Sequence, residues 1–205
     1  MDYTQLASSE SIERATKALG ANRFNSLVLD TGAEALAYIQ KSVPAGASVM
    51  NGASVTLEEI GFVEYLKSGA HTWNNLHEAV LKEGDKEKRD SLRKHAVVSD
   101  YYLGSVHAVS ETGELLIASN TGSQLPHLAY TSSNLILVVG TQKIVPDLTA
   151  AFERLQKHII PLEDEHMKGL YGAGTQHNKS LILHGESSMM GRSVTIILVK
   201  ERLGF

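Results

Sequence analysis

In the stretch "SETGELLIAS" (residues 110–119) the carboxylate of Glu111 stands just ahead of a turn glycine, Gly113, between two apolar runs. A carboxylate held between strands is partly dehydrated, and desolvation raises its basicity and nucleophilicity, which is the chemistry of acyl transfer. The same letters also read as a solvent-facing turn, and the residues alone leave both readings open. Two other segments offer a different chemistry. In "NGAS" (residues 51–54) with Thr56, Gly52 lets the backbone approach a ligand closely, while Ser54 and Thr56 offer hydroxyls and N–H groups at a helix start. That is a cradle for a phosphate or carboxylate, and equally a plain helix cap. In "SNTGSQ" (residues 119–124), Asn120 and Gly122 suit left-handed backbone angles, and Ser123 and Gln124 can bond a ligand. A tight turn has the same composition.

Other chemistries find less support. The nine histidines contain no HExxH and no HxH, and Glu163 with His166 is the one Glu-x-x-His pair, where a di-iron bundle needs two. No metal site is expected, and the histidines read as surface or hydrogen-bonded residues. "YGAG" (residues 171–174) lacks the Walker lysine, and no G-x-S-x-G elbow is present. Cysteine is absent, which excludes disulfides, thiolate zinc sites, a cysteine nucleophile and an iron–sulfur cluster held by this chain alone. A net charge of -4 with 20% charged residues supplies no concentrated positive field, so neither nucleic acid nor an acidic membrane surface is expected as a partner. The N-terminal segment has no basic region followed by an apolar core, and no window reaches the roughly 18 apolar residues of a membrane span, so a cytoplasmic location is the expectation.

The elements that must position these residues follow from periodicity. Ile12, Ala15 and Leu19 recur at helical spacing, with Gly20 ending that helix. "SLVLD" (26–30) is a strand, followed by a capping box at Thr31 and Glu34 and a helix carrying Leu36 and Ile39. The pattern repeats with "ASVMN" (47–51), a capping box at "TLEE" (56–59) and a helix closed by Gly69. Residues 70–99 are polar and read as solvated helix or loop. "SVHAV" and "ELLIAS" form a hairpin around the "ETG" turn, "NLILVVG" (134–140) is a central strand buried on both faces, and a helix runs from Pro146 to about His158. "SLILH" and "SVTIILVK" supply closing strands. Alternation of this kind implies a mostly parallel sheet covered by helices, with ligands at the carboxyl ends of its strands. The 42% hydrophobic content suits one domain over residues 1–205, with the N-terminal helical segment (1–25) packing on it.

These stretches also carry a resemblance. "GASVTLEEIG" (52–61), "VSETGELLIAS" with "NTGSQLP" behind it, and "LILVVGTQKIVPDL" (135–148) together resemble the LUD domain, the lactate-utilisation protein C family, over nearly the whole chain. The resemblance implies a three-layer α/β sandwich with a mostly parallel sheet, similar to the fold of glucosamine-6-phosphate deaminases, ribose-5-phosphate isomerases and class I CoA transferases. It further implies a part in bacterial oxidation of lactate to pyruvate, with iron–sulfur subunits as partners. Class I CoA transferases carry a Ser-Glu-Asn-Gly turn whose glutamate forms an acyl-CoA-linked intermediate. Ser110, Glu111 and Gly113 match it, and Thr112 departs from it.

Three functional expectations result. The first is a lactate-utilisation accessory protein that binds a small organic acid or its thioester near Gly52, Ser54, Thr56, Ser110, Gly113, Asn120, Gly122 and Ser123. The second is an enzyme of the CoA transferase or sugar-phosphate isomerase type, with Glu111 as its catalytic residue. The third is a regulatory or interaction module that has lost the chemistry. No cofactor is expected on this chain alone, with a CoA thioester or a phosphorylated small molecule as the ligand classes. Self-association into a homo-oligomer is left open by the residues.

Overall fold

The computed structural model of the chain describes residues 2–205. Helix α1 (Ser9–Ala21) starts where the Ser8 side chain accepts the Ser11 N–H at 3.2 Å, and it buries Ile12, Ala15 and Leu19. Strand β1 (Asn25–Leu29) leads into α2 (Gly32–Ser42) through the expected capping box, in which Thr31 and Glu34 bond each other's backbone N–H groups at 3.2 Å. Then come β2 (Ser48–Asn51), α3 (Val55–Glu59), α4 (Phe62–Ser68), β3 (Asn74–Asn75), α5 (Leu76–Lys82) and α6 (Lys86–His95). Strands β4 (Tyr101–Gly104), β5 (Ala108–Ser110), β6 (Leu115–Ser119), β7 (Asn134–Gly140) and β8 (Ile144–Val145) precede α7 (Leu148–Arg154) and α8 (Ile160–Tyr171). Strands β9 (Lys179–Leu183) and β10 (Ser193–Val199) complete the order.

Six strands form one parallel sheet in the order β1-β10-β7-β4-β2-β3. Strand β7 lies near its middle and shows the period-two division of side chains that a strand buried on both faces requires. Leu135, Leu137 and Val139 pack with α1 and Phe24, while Ile136 and Val138 pack with Ala35 and Ile39 of α2 and with Leu57, Phe62 and Leu66. The result is a three-layer α/β sandwich. A second sheet, ordered β8-β5-β6-β9, adds Val109, Leu115 and Ile117 to the α1 side of the core. Its other face, with Ala108, Leu116 and Val145, is covered by Ala151, Leu155 and Ile159.

Three local readings change. The helix expected over residues 56–69 is broken into α3 and α4 at Gly61, whose φ of +80 lies in the left-handed region. Its cap is Ser54, which accepts the Leu57 N–H at 3.4 Å, and this leaves Thr56 inside the helix and buried. The helix expected from Pro146 begins after Asp147, whose carboxylate accepts the Ala150 N–H at 2.8 Å, and it continues past His158. A π turn at Leu155–Ile159 joins α7 to α8 ahead of Pro161. Proline has no N–H for the carbonyl four residues back and its ring crowds that carbonyl, so the wider turn keeps the helix continuous.

Candidate functional site

Strands β2, β4 and β7 of the parallel sheet end side by side, and the segments leaving them converge. From β2 come Gly52, Ser54 and then Thr56 on α3; from β4 comes Ser105; from β7 comes a single 3-10 turn, Thr141–Lys143. They enclose, with α8, a cavity of about 410 Å³. Lys143 lies in its wall only 3% exposed, and its Nζ donates to Thr56 Oγ1 at 2.9 Å and to Ser105 Oγ at 3.2 Å. Both hydroxyls direct their own protons to backbone carbonyls, Thr56 to Leu203 at 3.3 Å and Ser105 to Val106 at 3.4 Å, and so act as acceptors toward the lysine.

No carboxylate among the described residues pairs with Lys143 within 4.0 Å. Burial of the ammonium pushes its pKa down to about 7; the Arg154 guanidinium acts in the same direction, and Glu59 opposes. His107 shares the cavity wall, and its Nδ1 accepts the Ala118 N–H at 3.1 Å. That bond places the ring proton on Nε2 in the neutral tautomer. Burial, followed by Lys143, Arg154 and His177, lowers its pKa to about 3. Behind it Arg154 is fully buried and donates from Nη1 to the His107 carbonyl at 2.6 Å. Across the cavity, Glu163 and His166 of α8 and His177 add to the polar lining, with burial raising the pKa of Glu163 and His166 opposing.

Gly52, Ser54, Thr56, Asn120 and Ser123 therefore lie along one cavity. Asn120 is tied across to the chain just before β9, its Oδ1 accepting from Asn178 at 2.7 Å. Gly122, with φ +86, supports that loop against Lys179 and is outside the lining. Ser110, Glu111 and Gly113 are elsewhere. Strands β5 and β8 run parallel; His107 and Lys143 immediately precede them, whereas Glu111 follows β5. Four residues of extended chain between His107 and Glu111 span about 13 Å. At its own end Glu111 accepts from Arg14 Nε at 2.5 Å and from Ser11 Oγ at 2.5 Å, and Arg14 first and then Ser11 lower its pKa against the opposing effect of burial. Gly113 is pressed against α1: with φ +93, a side chain there would come within 2.9 Å of the Ala18 carbonyl oxygen. The arrangement makes the "SETG" turn a clamp for α1.

Ser105, His107, Lys143 and Gly204 were not singled out from the letters. Gly204, at φ +63, lets the chain pass over Lys143, for a β-carbon there would stand 3.0 Å from Nζ. A local signal for Lys143 does exist, since it is a lone cation in the otherwise uncharged run "LILVVGTQKIVP".

The sequence profile of the LUD domain family matches residues 12–188. The chain belongs to the LUD domain family. The matched span of this LUD domain runs from the first buried turn of α1 past β9, and so includes Lys143, His107 and the "NGAS" loop, while β10 and Gly204 lie beyond it. Among solved structures, the crystal structure of a DUF162 family protein from Deinococcus radiodurans at 1.70 Å resolution matches with a TM-score of 0.59 and 14% identity, covering 95% of this chain and 99% of that chain. At that identity the likeness shows the common fold. No curated protein matches the sequence. No helix among the described residues is long and apolar enough to cross a membrane.

Proposed function

We propose that this LUD domain is an accessory protein of lactate utilisation that binds a small organic acid in the cavity, carboxylate toward Lys143. The observation that carries the reading is the state of that lysine: buried, bonded to two hydroxyls, and without a carboxylate partner. A buried cation of this kind gains most from an incoming anion, because charge-assisted hydrogen bonds in a water-poor site are strong and the anion offsets the cost of burial. The size of the cavity suits a small acid, with room for part of a thioester. The chain has no cysteine, so the electrons of lactate oxidation pass through partner subunits carrying iron–sulfur centres, consistent with the family. Glu111 has a smaller part in this reading, because its carboxylate is engaged by Arg14 and Ser11 at the far end of β5.

Calorimetric titration with lactate, pyruvate, acetate and acetyl-CoA tests the proposal. Saturable binding of at least one acid is expected, weakened roughly tenfold to a hundredfold by Lys143→Met, the worth of one charge-assisted bond. Equal affinity of the folded variant and the parent would refute it.

A further inference from the structure

We propose that Lys143 forms a reversible imine with the carbonyl carbon of a small 2-oxo acid held in the cavity. The inference rests on the organic-acid reading of the same site and adds a covalent bond to it. An amine that is to attack a carbonyl must be uncharged, must be held still, and must keep its lone pair free. A neutral lysine amine carries two N–H bonds, and the structure places two acceptors on Nζ, Thr56 Oγ1 at 2.9 Å and Ser105 Oγ at 3.2 Å. Both hydroxyls have spent their protons on backbone carbonyls, so neither competes for the lone pair. The remaining tetrahedral position on nitrogen has no partner among the described residues. Burial favours the uncharged form: with a pKa of about 7, about half of Lys143 is neutral at pH 7, against roughly one in three thousand for a lysine at 10.5.

A carboxylate beside the reacting carbonyl suits the surrounding charge. Arg154, fully buried, leaves its Nε and Nη2 without partners, and its positive potential reaches Lys143. The reaction balances within the site. The Nζ lone pair forms the C–N bond as the carbonyl π pair moves to oxygen. The nitrogen gives up two protons in turn, each passed on as a neighbouring hydroxyl turns from its backbone carbonyl to donate its own proton to the oxygen while accepting one from nitrogen, and the oxygen departs with both as water. Nothing is oxidised or reduced, and the imine returns to amine and 2-oxo acid by the reverse addition of water.

Incubation of the intact protein with pyruvate and sodium cyanoborohydride near neutral pH tests this, with peptide mapping by mass spectrometry. The expected result is one reduced adduct on Lys143, at least about tenfold above any other lysine given its larger neutral fraction, and no such adduct in Lys143→Arg, which keeps the charge. Pyruvate binding by calorimetry without an adduct would overturn the imine and leave the acid-binding reading standing. A label spread evenly over surface lysines would also overturn it, and the map of the parent protein decides this even if the variant does not fold. If no acid binds at all, the acid-binding reading itself has failed and the imine falls with it.

Discussion

Replacing Lys143 with methionine removes a buried ammonium and leaves an unbranched apolar side chain of similar reach in its place. Lowering the lysine pKa from 10.5 to about 7 costs the folded state about 4 kcal/mol at pH 7, where half of the buried lysine has already given up its proton. Against this, the variant loses the N–H donors to Thr56 and Ser105, worth about 1 kcal/mol each. The net expectation is a variant about 2 kcal/mol more stable than the parent at neutral pH. The folded lysine gives up its proton near pH 7, while the unfolded one keeps it to about 10.5. Between those values the unfolded state binds more protons, so the parent gains stability as pH rises, by up to about 1.4 kcal/mol per pH unit. Methionine binds no proton, and its advantage therefore shrinks on the alkaline side and vanishes near about pH 9.

Urea unfolding followed by the single tryptophan, Trp73, which is buried against Phe62, measures both proteins from about pH 7 to about pH 9. Other titrating groups are common to the two proteins, so the difference isolates Lys143. A difference that stays constant across that range, or a variant several kcal/mol less stable than the parent at neutral pH, would refute the account of an unpaired buried cation. A confirmed gain in stability alongside lost acid binding would show the lysine retained for function at the expense of the fold.

Two further substitutions, one with a control, separate the cavity from the "SETG" turn. Gly204→Ala puts a methyl group onto the Thr56 hydroxyl and beside Lys143 at a left-handed φ of +63; lactate affinity should fall about tenfold and stability by about 1–2 kcal/mol, whereas Gly84→Ala, with nothing within 4 Å, should change neither in calorimetry and urea unfolding. Glu111→Gln should cost about 1 kcal/mol or less in the same unfolding assay, because Arg14 is 58% exposed, and should leave acid affinity within about twofold; a loss of orders of magnitude would return the chemistry to the "SETG" turn.

Much of the sandwich was legible because its signals are local. Apolar alternation along residues 134–140, the Thr31–Glu34 capping box and the positive-φ Gly69 each act within a few residues, and the rule that ligands gather at the carboxyl ends of parallel strands pointed to Gly52, Ser54 and Thr56. In the second sheet the β5–β6 hairpin around the "ETG" turn and strand β9 in "SLILH" were legible for the same reason, whereas the pairing of β5 with β8 obeys no local rule. Strand β8 has two residues, too short for a pattern, and its pairing joins Val109 to Ile144 across 35 positions of chain. That register decides which residues meet. It sets His107 beside Lys143 at one end and carries Glu111 to the other, so a carboxylate and a lysine that the letters present as separate curiosities are assigned opposite tasks by three residues of strand.

The placement of the neighbouring acidic side chains explains why the lysine can stay unpaired. Among carboxylates near the cavity, Glu59 accepts the Gly204 N–H at 2.6 Å, and Glu58 on α3 and Glu163 on α8 line the cavity without pairing with Nζ. Were any of them to reach Nζ, the ammonium would be locked in its charged form and the cavity would lose the attraction for an acid proposed for it. Instead the chain spends two hydroxyls and a glycine around Lys143, groups that orient an amine without neutralising it. Placing acceptors of no net charge around a buried lysine costs stability, which the methionine variant measures, and leaves open the one position on nitrogen through which the proposed acid would be held.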